Sequence, residues 1–113
     1  MLPTIDYCAH GRILSVFLSG ELDHHNARPI REHTDIAIEK YRPALLVLDF
    51  SKVTFMDSSG IGLIMGRFKR MTELGSDILI ANPSPAIRKL IGLASVERVV
   101  RVVYTAHSAS VSN

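Results

Sequence analysis

The chain has 113 residues, of which 47% are hydrophobic and 21% are charged, and its formal net charge is +2. These values fit one globular domain over residues 1–113 with a single core. No apolar run approaches the ~20 residues of a membrane span, and the N-terminus lacks the charged and apolar segments of a signal peptide. We therefore expect a cytoplasmic protein without a membrane partner.

The start of the chain predicts a β-hairpin. Segments 5–9 and 13–19 alternate partly in polarity, and the turn residues His10-Gly11 lie between them. Cys8, the single cysteine, falls in the first predicted strand. We therefore expect its side chain to act as a small buried hydrophobic group and not as a reactive thiol. The polar segment 20–25 then ends the second strand.

A helix and a central strand follow the hairpin. Pro29 is tolerated only in the first turn of a helix, where its missing N–H would have had no partner, so we expect the helix to begin near Asn26. Arg42-Pro43 ends it. The nearly continuous apolar run of residues 45–50 is typical of a central parallel strand that is covered on both faces.

The next helix opens at Asp57-Ser58-Ser59-Gly60, after a short polar connection over residues 51–56. Its pattern directs Arg67 toward solvent, and Gly75 is placed to end it. The residues that the pattern directs toward the core are Ile61, Ile64, Met65, Phe68 and Met71.

Two glycines, Gly62 and Gly66, lie one turn apart in this helix and leave one face nearly bare. Each interior glycine costs about 1 kcal/mol relative to alanine. The pair therefore indicates that the sheet or a partner approaches this face closely.

The last third of the chain predicts two strands and one helix. Segment 77–81 is a strand, Ser84-Pro85 supplies an N-cap and a first helical residue, and Gly92 can end that helix. Segment 97–104 is the last strand, and residues 105–113 are expected to form a frayed tail.

The resulting order β-β-α-β-α-β-α-β predicts the α/β class, with a mixed, mainly parallel sheet, an N-terminal hairpin, right-handed crossovers and three to four helices. The basic residues of the second half fall on predicted helix faces without interleaved aromatic residues. This pattern is typical of a solvated surface, so we expect no nucleic-acid partner.

The start of the second helix is where we expect chemistry. The first turn of a helix leaves backbone N–H groups unpaired and carries partial positive charge, so hydroxyl groups are held and exposed there. Ser58 and Ser59 both occupy this position, although Asp and Ser are also ordinary capping residues. We interpret Ser59 as the residue whose hydroxyl caps the helix.

The sequence around these serines does not match known catalytic motifs. Gly60 and Gly62 resemble a dinucleotide-binding turn, but Gly66 comes one residue too late for G-x-G-x-x-G. A nucleophile elbow requires glycine two residues before the serine, where Ser58 has Met56. Neither a nucleotide cofactor nor hydrolase activity is therefore expected.

Other candidate sites are equally incomplete. His24, His25 and His33 lack the spacing of metal ligands on a helix, so we expect no metal. Asp49 lies near the end of a central strand, where a phospho-aspartate receiver carries its phosphorylated residue. A receiver also needs an acidic pair after its first strand, which this sequence lacks. We therefore interpret Asp49 as the acceptor of an Asx turn. A serine displayed without catalytic groups is better suited to be a substrate, so we expect no enzyme.

Two motifs are similar to those of a known family. GELDHH at residues 20–25 and LLVLDFSKVTFMDSSGIGLIMGRFKRM at residues 45–71 resemble the STAS-domain anti-sigma factor antagonists, and the resemblance covers almost the whole chain. It implies a single STAS domain that binds an anti-sigma factor when unmodified and thereby frees a sporulation sigma factor. The implied partner is also an ATP-dependent serine kinase, so ATP and ADP belong to the partner.

The resemblance also implies a site. Ser58 corresponds to the serine that the kinase phosphorylates, and a PP2C-type phosphatase would restore the active form. A final helix is usual in the family, whereas residues 105–113 are short and polar. The residues expected to contact the partner are Asp23, Asp57, Ser58, Ser59, Ile61 and Gly62.

Two alternatives stay open within the family. The chain could act in a general stress pathway with another kinase, or it could be a free-standing module that senses a nucleotide or a lipid.

Overall fold

The structure is a computed structural model, and it describes residues 5–105. Its strands are β1 (Ile5–His10), β2 (Ile13–Leu22), β3 (Leu45–Met56), β4 (Asp77–Ala81) and β5 (Arg101–Val103). Its helices are α1 (Ala27–Tyr41), α2 (Ser58–Glu73) and α3 (Pro85–Leu93), and a 3-10 turn spans Val96–Arg98. None of the helices within residues 5–105 is long and apolar enough to cross a membrane.

The five strands form one mixed sheet in the order β1-β2-β3-β4-β5. β1 is antiparallel to β2, and all other neighbouring pairs are parallel. The predicted α/β class with an N-terminal hairpin and a mainly parallel sheet is confirmed, and β3 is central as expected.

The core lies on one face of the sheet. Alternate residues of β2 and β3, such as Val16 and Leu48, are fully buried on that face, and all three helices contribute side chains to the same cluster. On the opposite face Phe17 remains 39% exposed, and Leu45 and Val47 are only half-buried. The prediction that β3 is covered on both faces is therefore wrong.

Both central strands run further than predicted. β2 continues through Gly20 to Leu22, and β3 continues through the expected polar connection to Met56, so that Leu22 lies opposite Met56. Two register shifts interrupt this extension, and Gly20 has a left-handed φ of +81° there. Because bulges break the two-residue alternation, buried Val53 and Met56 do not show the period of a strand in the sequence.

The helix boundaries agree closely with the predictions. Asn26 immediately precedes α1, and Pro29 lies in its first turn. Gly75, with φ +71°, follows the end of α2 and allows a Schellman-type bond. The Ser84 hydroxyl caps α3 by accepting the N–H of Ile87 at 3.3 Å, and α3 ends at Leu93, one residue beyond Gly92.

The last strand is shorter than predicted. The first part of segment 97–104 belongs to the 3-10 turn, in which the carbonyl of Val96 accepts the N–H groups of Val99 and Val100. Burial of Val96 and Val100 favours this turn over a continued strand. Of the expected frayed tail at 105–113, only Thr105 lies within the described residues, and its N–H donates to the Asn82 side chain at 2.9 Å.

Two side chains lie on the opposite side from their predicted positions. Cys8 is exposed, because it pairs with Ser15 on the sheet face that carries no helix. Arg67 is buried with its side chain 8% exposed, and its Nε lies 2.9 Å from Oδ1 of Asp35 on α1. Since α2 packs against α1 as well as against the sheet, its buried stripe is wider than a single sheet contact predicts.

Candidate functional site

The start of α2 is fixed by Asp57. Its carboxylate accepts the N–H of Ser59 at 2.8 Å, and its own N–H donates to the Leu22 carbonyl at 3.3 Å. Asp57 is thus the N-cap and also joins α2 to the end of β2. The prediction that the Ser59 hydroxyl caps the helix is wrong, because the capping position lies two residues earlier.

Ser58 is the first residue of α2 and is exposed, whereas Ser59 is half-buried. Within residues 5–105 no hydrogen bond engages the Ser58 hydroxyl. The helix therefore presents Ser58 to solvent. This is the exposure that the substrate interpretation demands.

Gly60 is the glycine at which another element approaches closely. A β-carbon at residue 60 would overlap Cγ and Sδ of Met56 and would lie 3.4 Å from Cβ of Leu22. At Gly62 and Gly66, by contrast, a β-carbon would have no neighbour within 4 Å among the described residues. Of the two predicted alternatives, the sheet does not approach those two glycines, and approach of a partner to them stays a prediction.

The loop after β2 is organised by Asp23. One oxygen of its carboxylate accepts the N–H groups of His25 at 3.0 Å and Asn26 at 2.9 Å, and the Asn26 side chain donates to the Glu21 carbonyl at 3.0 Å. Asp23 is half-buried, and these bonds to the loop backbone engage only one of its two carboxylate oxygens. Its expected contact with a partner stays a prediction.

The two sequence motifs meet because β2 and β3 are parallel neighbours that end together. Leu22 and Met56 are paired at that end, and residues 23–26 and Asp57 follow them. The expected partner-binding residues therefore lie at one edge of the sheet. Of these, Ile61 is half-buried against the core, whereas Gly62 is exposed.

A cleft of about 640 Å³ separates this loop and α1 from the first turns of α2, and we call it the α1–α2 cleft. It borders the candidate phosphorylation site through Ser59. Its lining comprises His24, His25, Ala27, Arg28, Pro29, Arg31, Ser59, Gly62 and Leu63.

The sequence interpretation missed the two arginines of this cleft. Arg28 forms an exposed ion pair with Glu32 at 3.2 Å, whereas Arg31 is exposed and has no ion pair or hydrogen bond within the described part of the chain. Their three-residue spacing on α1 is an ordinary surface pattern. Only the packing of α1 beside α2 shows that both face the candidate site.

Arg67 lies one turn beyond Leu63 on α2 and contributes to the same electrostatics. Burial lowers the pKa of Arg67 because it disfavours the charged guanidinium, Asp35 opposes this effect, and the charge of Arg31 adds to it. Nη1 of Arg67 has no hydrogen-bond acceptor among residues 5–105, and its Nε is near Asp35 without being well directed at it. Asp35 is therefore the counter-charge of Arg67, and it does not satisfy the hydrogen-bond donors of that guanidinium.

The described residues offer no metal centre: residues 5–105 contain no group of three His, Cys, Asp or Glu side chains that could hold an ion. His24 and His25 contact each other edge to face, with ring centroids 5.7 Å apart.

Comparison with known proteins assigns the family. A model of the STAS domain matches residues 4–109. An anti-sigma F factor antagonist of Paenibacillus polymyxa is 33% identical over 93 residues, which are 82% of this chain and 80% of that protein. An anti-sigma-B factor antagonist of Listeria monocytogenes is 25% identical over 92 residues, which are 79% of this chain and 77% of that protein.

Solved structures agree with the sequence relatives. The anti-sigma factor antagonist SpoIIAA in its unphosphorylated form is 27% identical and superposes with a TM-score of 0.79, over 96% of this chain and 93% of that one. The phosphorylated form of SpoIIAA from Bacillus is 26% identical with a TM-score of 0.70, over 97% and 100% of the two chains. This chain therefore belongs to the STAS domain family.

Proposed function

We propose that this chain is an anti-sigma factor antagonist. Its unphosphorylated form binds an anti-sigma factor with serine kinase activity, and this binding releases a sporulation sigma factor. Phosphorylation of Ser58 ends the binding. The observation that carries this proposal is the position of Ser58, exposed at the first residue of α2 within the DSSG motif. Relatives named as anti-sigma F factor antagonists support the partner, and the existence of a phosphorylated form of SpoIIAA supports the modification.

Phosphorylation should alter binding rather than folding. A phosphate on Ser58 adds about −1.5 to −2 charges beside Asp57, and the N-terminus of α2 offsets part of the repulsion by about 0.3–1 kcal/mol. A phosphate held against a partner loses hydration and meets like charge. A penalty of ~3 kcal/mol at that interface would lower the affinity more than about a hundredfold.

In this proposal the chain is a substrate and a binding protein, not an enzyme. ATP binds to the partner kinase, and a separate phosphatase of the PP2C type removes the phosphate. Asp23, Asp57, Ser59 and Gly62 surround Ser58 at the same edge of the sheet and form the proposed contact surface.

The test is phosphorylation of the purified chain by a purified candidate anti-sigma factor kinase and ATP, with mass spectrometry to locate the phosphate. We expect a single phosphate on Ser58, none on Ser58→Ala, and full phosphorylation of the matched control Ser59→Ala. Undiminished phosphorylation of Ser58→Ala would show that the assignment is wrong. Ser58→Asp should bind the kinase more than about a hundredfold more weakly than wild type.

A role in a general stress pathway is the second candidate, and the similarity to the Listeria anti-sigma-B factor antagonist favours it. The two candidates differ in the kinase that is bound and in the sigma factor that is released. In vitro transcription with the reconstituted kinase would distinguish them, because only the cognate sigma factor should regain activity when the antagonist is added.

A further inference from the structure

The α1–α2 cleft has an unusual distribution of charge. Its charged and titratable lining residues are Arg28, Arg31, His24 and His25, and none of the carboxylates within residues 5–105 lines it. Acidic residues around the cleft are engaged: the carboxylates of Asp23 and Asp57 accept backbone N–H groups, and Asp35, one turn beyond Arg31 on α1, pairs with Arg67. Glu32 pairs with Arg28 and leaves Arg31 unneutralised.

Arg28, the second residue of α1, lies where the fold alone disfavours a positive charge. The first turn of α1 contains no acidic residue, although the N-terminus of a helix favours negative charge and disfavours positive charge. Arg31 also repels the buried guanidinium of Arg67. Arg31, the fifth residue of α1, is exposed and has no ion pair or hydrogen bond among residues 5–105, so its charge is available to an acidic partner.

Resting on the function proposed above, we infer that the α1–α2 cleft receives an acidic segment of the anti-sigma factor kinase, and that Arg31 is its principal electrostatic contact. Charge complementarity selects an acidic partner. The cleft is continuous with the proposed interface, because Ser59 and Gly62 belong to both.

The shape of the cleft favours a protein segment over a nucleotide. Its arginines and histidines are exposed, so the cleft is open along α1. Apart from the two histidines, the described part of the chain contributes no aromatic ring to the lining, so these residues offer no larger stacking platform for a base. Carboxylates on a partner surface can reach the guanidinium groups without leaving solvent entirely.

This occupant also accounts for the sensitivity of the complex to phosphorylation. A phosphate on Ser58 would lie at the border of the cleft and repel an acidic segment bound there. The same negative charge therefore lowers the affinity for an acidic segment that the basic lining would otherwise attract.

The experiment measures the affinity of the unphosphorylated full chain for the purified anti-sigma factor kinase, at low and at physiological salt. The test variant is Arg31→Glu, with Arg31→Gln as a milder change. The matched control is Arg101→Glu, which makes the same charge reversal at an exposed residue of β5, outside the cleft. Thermal unfolding verifies that Arg31→Glu folds, as expected for a residue without a described partner.

We expect Arg31→Glu to weaken binding by at least about tenfold at low salt, Arg31→Gln by less, and Arg101→Glu by less than about twofold. The salt dependence of binding should also be shallower for Arg31→Glu than for wild type. Equal affinities of Arg31→Glu and Arg101→Glu for the kinase would overturn the inference. Binding of inorganic phosphate or ATP to the cleft, together with normal binding of the kinase to the Arg31 variants, would also overturn it.

The same samples separate this inference from the function on which it rests. If the kinase binds wild type and phosphorylates Ser58 but Arg31→Glu behaves like Arg101→Glu, only the inference fails. If the kinase neither binds wild type nor phosphorylates Ser58, the proposed function fails and the inference fails with it.

Discussion

Met56 and Gly60 are in such close contact that a β-carbon at residue 60 would overlap Cγ and Sδ of Met56. Met56 is the last residue of β3, and Gly60 is the third residue of α2. Their contact holds the end of the strand against the first turn of the helix. The exposed position of Ser58, which lies between them in the sequence, therefore depends on a buried contact.

We predict that Gly60→Ala lowers the free energy of unfolding by about 1–3 kcal/mol, because an added methyl group must displace the buried Met56 side chain. The matched control is Gly62→Ala, where a β-carbon meets no described atom within 4 Å. Since alanine is the better helix former, Gly62→Ala should raise stability by up to about 1 kcal/mol. Urea denaturation of both variants measures the difference.

Equal effects of the two substitutions would contradict the structural distinction between the glycines. Gly62→Ala carries a second expectation, because Gly62 belongs to the proposed contact surface: a more stable protein that binds the kinase more weakly. A Gly62→Ala variant with unchanged kinase affinity would remove Gly62 from that surface.

The glycines also show what the sequence can and cannot predict at this site. The composition of α2 indicates that some glycine permits a close approach, but it cannot say which, because the approaching side chain comes from the end of β3. That segment resembles a polar loop until its bulged pairing with β2 is known. The start of α2 is a local feature, and it was predicted correctly.

The N-cap gives a second prediction. Asp57→Ala removes the carboxylate that accepts the Ser59 N–H at 2.8 Å, and it should lower the free energy of unfolding by about 1 kcal/mol. Asp57→Asn retains an acceptor and is the matched control, with an expected loss of less than about 0.5 kcal/mol. Thermal or chemical unfolding measures both, and an Asn variant as unstable as the Ala variant would argue against the capping bond.

Asn82 gives a third prediction. Its side chain donates to Oδ2 of the buried Asp49 at 3.1 Å and accepts the N–H of Thr105 at 2.9 Å, and its backbone has a left-handed φ of +59°. Asn82→Ala loses these bonds and strains the backbone, so it should lower the free energy of unfolding by about 2 kcal/mol. Asn82→Gly relieves the strain and should cost roughly 1 kcal/mol.

If alanine and glycine at residue 82 destabilise the protein equally, backbone strain does not contribute. Asp49 itself follows the sequence prediction, because its other oxygen accepts the Ser51 N–H at 2.8 Å as in an Asx turn. Its bond to Asn82 joins residues 33 positions apart, so no local pattern could have predicted it.

The same limit applies to the contact between α1 and α2. Helical periodicity directed Arg67 toward solvent, because the pattern of one helix does not show that a second helix lies beside it. The cationic lining of the α1–α2 cleft was missed for the same reason. Elements, their order and the ends of the helices follow from local patterns in this chain. The ends of β2, β3 and β5 and the burial of charged residues follow from which elements become neighbours.

The ion pair between Arg67 and Asp35 gives the last prediction. Asp35→Asn leaves the buried Arg67 guanidinium, which Arg31 repels, without its counter-charge. It should lower the free energy of unfolding by about 1–2 kcal/mol. This is less than the cost of breaking a fully buried ion pair, because the Asp35 side chain is 42% exposed. Arg67→Met fills the space with an apolar chain and removes that repulsion, so its stability should lie within about 1 kcal/mol of wild type. In the Arg67→Met background, Asp35→Asn should have little effect, which a double-mutant cycle by urea denaturation measures directly. Additive effects of the two substitutions would mean that the pair does not interact, and that the burial of Arg67 is tolerated by packing alone.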